Sequence, residues 1–205
     1  MKSIIVFLVL FVRMYPTYYI ENSELKDSGN VPFEYIKEKI IVPVQINGKT
    51  YKFLLDTGGI FEISEDLQNE FNFNGVNSTT IVDINRKEIE LSTVLVPEIN
   101  IGNWHFKNRK AIVSDLPNKY PYSCFKLDGM IGRDFFDNVL LHFDLASNVF
   151  RLTQDTEAIQ LDKLNRTKLK LSKRGLPDIK ISINGKTEYI EFDSGSGDFY
   201  SPKTA

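Results

Sequence analysis

Cysteine is almost missing from this chain, and its scarcity removes two ways of holding a fold together. Cys124 has no partner for an internal disulfide, and one thiol with two histidines, His105 and His142, leaves no cluster spaced for a structural metal. Packing must carry stability, and no metal or organic cofactor is implied. Neither sign of charge dominates: 25 basic side chains face 27 acidic ones, with no Lys/Arg run and no aromatic-basic stripe, which argues against a nucleic-acid partner. Long apolar runs are missing too. The longest, Ile4 to Val12, has nine residues, whereas a membrane-spanning helix needs ~20. Lys2 precedes it and Arg13 follows it, the order of an export signal, although bulky Met14 to Tyr19 offer no small-x-small cleavage site. Residues 1–20 are therefore expected to direct export, to a periplasmic or extracellular location. A short membrane anchor or a buried N-terminal strand are the alternatives.

What is present is an ordinary globular composition, 42% hydrophobic over 205 residues. It allows one well-buried domain plus extra material. Residues 21–33 are polar and are expected to form a linker, with folded sequence beginning near Phe33. Ile40, Val42, Val44 and Ile46 alternate, Asn47-Gly48 supplies a type I′ turn, and Tyr51 to Leu55 returns as the second strand. This hairpin delivers Asp56 to its tip. Ser64 is placed to cap a helical turn through Phe71. Strands are then expected at Thr79–Ile84, Glu88–Val96, Ile99–Ile101 and Lys110–Val113, followed by a Pro- and Tyr-rich loop from Leu116 to Phe125. A short helix over Arg133–Asn138 and a hairpin of Val139–Phe143 with Val149–Leu152 complete the pattern. So many short strands predict a closed or folded-over β-sheet.

The sequence also repeats itself. Shifting it by the 137 positions from Asp56 to Asp193 lays Ile46-Asn47-Gly48-Lys49-Thr50 on Ile183-Asn184-Gly185-Lys186-Thr187 without a gap. Gly58 then falls on Gly195, Val42 on Ile179 and Val44 on Ile181. The expected organisation is one lobe over 34–153, a linker over 154–175, and a second lobe over 176–205 that has begun but is cut short.

Two apolar strand residues, then Asp-Thr-Gly and a small residue (Leu54 to Gly59), then the downstream segment Met130-Ile131-Gly132-Arg133-Asp134: together these resemble the retropepsin-like aspartyl proteases, the bacterial version of the pepsin and retroviral protease fold. The resemblance spans roughly residues 34 to 153, and the repeat extends it toward the end of the chain. It implies a mainly β, closed-barrel lobe with one or two short helices and an endopeptidase acting on peptide or protein substrates. Two facing carboxylates, Asp56 and Asp193, would activate water. At contact distance both cannot be ionised, so in that family they share a proton and titrate as a unit. By the same resemblance Thr57 and Ser194 bond across to the opposite loop, Gly58 and Gly195 permit close approach, and Ile131 and Gly132 pack beside the catalytic loop. A flap is expected from Thr80 to Leu91 with Asp83-Ile84-Asn85-Arg86 at its tip, although no Gly stands there. Glu191, at the position of Leu54 in the first copy, departs from the pattern.

Blander readings stand beside these. Asp27-Ser28-Gly29 repeats the Asp-x-Gly motif in a polar stretch and reads as a turn. His105 and His142 read as packing residues, and Cys124 has no patterned base to make it a nucleophile. Asn77-Ser78-Thr79 and Asn165-Arg166-Thr167 fit the glycosylation triplet, which is common by chance. The competing reading of the whole is a noncatalytic peptide-binding or assembly domain of the same fold, or an inactive fragment. A homodimer through the Asp56 loop is the way one lobe would complete a pair if the second were absent.

Overall fold

The computed structural model of the chain describes residues 5–8, 26–82, 87–115, 118–136, 138–157, 167, 169–172 and 175–196. In order these carry β1 (Ile5–Leu8), β2 (Val31–Pro32), β3 (Glu34–Ile36), β4 (Lys39–Ile46), β5 (Lys49–Leu55), β6 (Glu62–Ser64) and helix α1 (Glu65–Phe71). There follow β7 (Gly75–Val82), β8 (Glu88–Ile101), β9 (Trp104–Ser114), β10 (Gly129–Ile131), β11 (Leu140–Asp144) and β12 (Val149–Thr153). The described part closes with β13 (Leu169–Leu171), β14 (Pro177–Ile183) and β15 (Lys186–Glu191). The molecule is mainly β, with a single α-helix among the described residues.

Alternation in the first hairpin sorts its side chains between two faces. β4 and β5 pair antiparallel from Ile41 with Leu54 to Ile46 with Lys49. Val42, Val44, Ile46, Phe53 and Leu55 enter the main core, while Ile41 and Leu54 join a smaller cluster on the opposite face. Asn47 and Gly48 both have positive φ, 49° and 76°, as a type I′ turn demands. The second copy turns the same way, with Asn184 at 50° and Gly185 at 77°.

An eight-stranded sheet runs β3-β4-β5-β10-β6-β9-β8-β7. One further pairing, Gln45 of β4 with Asn100 of β8, brings the sheet back toward itself. The closed barrel expected from the sequence therefore appears as a folded-over sheet joined at this one pair. A second sheet, β1-β11-β12-β2, packs beside it, and β13-β14-β15 form a third. Several boundaries move. Glu88–Val96 and Ile99–Ile101 are one continuous strand, because the pairing with β9 skips Pro97 but resumes at Glu98 opposite Lys107 without a change of register. The helix expected over Arg133–Asn138 shrinks to a 3-10 turn at Arg133–Phe135. Ser64 caps α1 as its spacing implies, its Oγ accepting from the Leu67 amide at 3.1 Å.

Asp27-Ser28-Gly29 is more than a turn in a linker. Arg151 grips the Asp27 carboxylate through Nε at 2.9 and 3.0 Å, and Ser28, 2% exposed, donates its amide to the Leu152 carbonyl at 2.8 Å. The polar residues that look like spacer in sequence are stitched to β12 by the Asp27 carboxylate and by the amide and hydroxyl of Ser28, whose carbonyl accepts from the Asn103 amide. Of the apolar N-terminal stretch, Ile5–Leu8 pairs with Leu141–Asp144 of β11; the rest of 1–20 lies outside the described residues. No described helix is long and apolar enough to cross a membrane.

Candidate active site

The Asp56 loop is held from below before anything contacts it from above. Leu54 and Leu55, both 0% exposed, end β5, which lies parallel to β10 with Leu54 opposite Met130 and Leu55 opposite Ile131. The Asp56 amide donates to the Ile131 carbonyl at 2.9 Å. Gly132 follows because nothing larger fits: a Cβ there would sit 2.2 Å from the Cα of Ile60. Ile131 and Gly132 thus lie against the loop as a backbone clamp.

Asp56 shapes its own turn. Its Oδ1 accepts from the amides of Gly58 and Gly59, each at 2.9 Å. Asp193 repeats this with the amides of Gly195 at 2.9 Å and Ser196 at 3.1 Å. The two turns face each other. A Cβ on Gly58 would lie 2.7 Å from the Asp193 Cγ, and one on Gly195 only 2.2 Å from the Asp56 Cγ. Each glycine is therefore required by the opposite carboxyl, rather than by the conformation of its own turn.

Four hydrogen bonds lock the loops in a near-twofold pattern. The Thr57 amide donates to Ser194 Oγ at 3.0 Å, and the Ser194 amide donates to Thr57 Oγ1 at 3.0 Å. Thr57 Oγ1 donates to the Phe192 carbonyl and Ser194 Oγ to the Leu55 carbonyl, both at 2.8 Å. Each hydroxyl gives its one proton and accepts one bond, which fixes both rotamers.

Burial, and after it the charge and hydrogen bond of Asp193, push the Asp56 carboxyl up from 3.8 to about 7. Two carboxyls this close retain a proton across the acidic range. Among the described residues no group of three or more His, Cys, Asp or Glu side chains is placed to hold a metal ion.

Several neighbours are not singled out by sequence. Arg133 Nη1 donates to the Gly58 carbonyl at 3.0 Å, and its amide donates to the Gly59 carbonyl at 3.1 Å. Asp134 accepts from the Phe61 amide at 2.8 Å, and burial lifts its carboxyl to about 6 against the pull of Arg109. Their signal was adjacency: both directly follow Ile131-Gly132. Tyr122 gave none, because its place near the dyad depends on how the loop after β9 folds back. The expected flap corresponds to the β7–β8 hairpin, with Thr80 opposite Glu90 and Val82 opposite Glu88; its tip, 83–86, lies outside the described residues. Glu191 is half-buried where Leu54 is wholly buried. His105 does not pack: it is exposed, with Nδ1 3.6 Å from Glu98. His142 is half-buried in β11, and Cys124 is exposed.

Residues 42–135 match the family model described as "Aspartyl protease". None of the curated proteins matches the chain. Among solved structures, a retropepsin-like aspartic protease from Rickettsia conorii is similar over 66% of this chain and 97% of that one, at 14% identity and a TM-score of 0.46.

Proposed function

We propose, from the match of residues 42–135 to the aspartyl protease family model, that this chain is an aspartic endopeptidase whose dyad is Asp56 with Asp193. The observation that carries the proposal is the reciprocal lock of Thr57 and Ser194, which fixes two carboxyls face to face. With one proton between them, the pair supplies an acid and a base at once. The ionised carboxylate takes a proton from a water molecule as its oxygen attacks the peptide carbonyl carbon. The protonated carboxyl gives its proton to the carbonyl oxygen, leaving a gem-diol. Collapse of that diol returns one proton to the amide nitrogen, breaks the C–N bond and regenerates the shared proton. Burial of Asp56 favours it as the group that carries the proton in the resting pair.

Residues 176–205 supply the second carboxyl in this reading, as the start of a second lobe in the same chain. The Asp193 loop occupies the side of Asp56 on which another copy's Asp56 would have to dock, so a homodimeric dyad is not needed. The β7–β8 hairpin is the flap of this proposal. Incubation with a peptide library, with and without a pepstatin-like mimic of the gem-diol, tests the reading. Cleavage blocked by the mimic is expected, and cleavage that persists in the Asp56→Asn protein would sink it.

A further inference from the structure

Strand register lays a row of side chains beside the dyad, and one member is out of character. Ile41 pairs with Leu54, Leu54 with Met130, Met130 with Glu62 and Glu62 with Ile112, so all five lie on the face opposite the main core. Four are apolar, but Glu62 is a carboxylate only 6% exposed. A buried acid in such a row is costly unless partners meet it. Ser114 Oγ donates to Glu62 Oε1 from β9. The charge of Lys119 also acts on Glu62, although this lysine is 64% exposed and holds Asp115 at 3.7 Å.

The row leads to the dyad. A Cβ on Gly59 would lie 2.6 Å from the Met130 Sδ and 3.0 Å from the Asp56 Oδ2, which puts Met130 beside the reacting carboxyl. Tyr122 and Phe125 pack over the same cluster, and the Tyr122 hydroxyl feels the charges of Asp56, Asp193 and Glu62 together. Met130, which touches the Asp56 loop, thus leads across the row to an acid, as an apolar shelf under Tyr122 and Phe125.

Resting on the peptidase reading above, we propose that Met130, Tyr122 and Glu62 form a subsite beside the scissile bond that takes a lysine or arginine side chain of the substrate. The aliphatic stem would lie along Met130 and the Tyr122 ring, and the cation would replace Lys119 as the positive partner of Glu62. An apolar side chain in the same place fills the shelf but leaves the acid without a charge partner, which is how a polar site rejects an apolar occupant.

The test compares kcat/KM of the 205-residue chain for paired peptides that differ only in lysine or norleucine beside the scissile bond. The lysine peptide is expected to be preferred, and Glu62→Gln is expected to lower the lysine-to-norleucine ratio roughly tenfold. Lys119→Ala, an exposed change that leaves the core intact, removes the internal competitor and is expected to raise the ratio roughly threefold. Should Glu62→Gln fail to fold, Lys119→Ala decides. Cleavage of norleucine peptides with a ratio that neither variant moves overturns the subsite and leaves the peptidase reading standing. Cleavage of neither peptide by the unmodified chain overturns the peptidase reading, and the subsite with it.

Discussion

The two Asp loops make nearly the same local bonds on very different foundations. Asp56 rises from a strand whose last two residues are wholly buried and whose neighbours on both sides belong to an eight-stranded sheet. Asp193 rises from a three-stranded sheet in which Pro177 and Ile190 are the described residues that are buried. Turn geometry is therefore a property of the short motif, since Asp-x-Gly closes on its own amides in both places. Rigidity is not. The first loop draws it from the core beneath, and the second borrows it across the Thr57–Ser194 lock. Burial differs too, Asp56 being buried and Asp193 half-buried, and burial is the first cause that raises the Asp56 carboxyl.

Perturbing the two regions in parallel sharpens this contrast. The largest effect should be chemical and symmetric: Asp56→Asn and Asp193→Asn are each expected to lower kcat by roughly 10⁴-fold in a peptidase assay, because either removes the acid-base pair. A large loss in only one would mean that the second loop is structural. The pair also predicts a stability profile. With Asp56 raised from 3.8 to about 7, the folded chain holds a proton that the unfolded chain releases between those values. Its stabilising contribution is full below 3.8 and is lost as pH rises toward 7. Thermal melts should show the unmodified protein losing Tm relative to Asp56→Asn across that window.

Packing changes come next, and here asymmetry is expected. Leu54→Ala should cost roughly 2–5 kcal/mol in urea unfolding, since a wholly buried leucine leaves a cavity. Glu191→Ala, at the matching position of the second copy, should fall well below that range because Glu191 is only half-buried. Ser194→Ala removes both hydroxyl bonds of one partner and should cost roughly 1–3 kcal/mol of loop docking. Hydrogen exchange should show residues 186–192 losing protection while β5 keeps its own. The smallest effect should be equal on both sides. Gly48→Ala and Gly185→Ala meet no neighbour within 4 Å, so each is expected to cost about 1 kcal/mol from the positive φ alone. Unequal values would show that the turn in one copy depends on its surroundings.

Much of the fold was legible because its causes are local. The alternation of Ile40 to Ile46, the Asn-Gly turn and the Ser64 cap all act within a few residues, and each element formed where its pattern lay. Pairings of distant segments were not legible in the same way. β6 and β10 are three residues each, too short to show a period, and they are strands because β5, β9 and each other supply their hydrogen bonds. Asp27 looked like turn material because its partner, Arg151, lies 124 positions away.

By itself the sequence determined which residue types stand in the two Asp loops and that the second repeats the first at a fixed shift, since motif and turn chemistry are written in consecutive residues. Only the tertiary structure decided that each glycine makes room for the opposite carboxyl, that Thr57 and Ser194 bond one another reciprocally, that Tyr122 lies where the charges of Asp56 and Asp193 reach it, and that Glu62 stands opposite Met130. These depend on contacts between chain segments that sequence order does not encode, and in a sheet such contacts are set by register and by which face each strand turns inward.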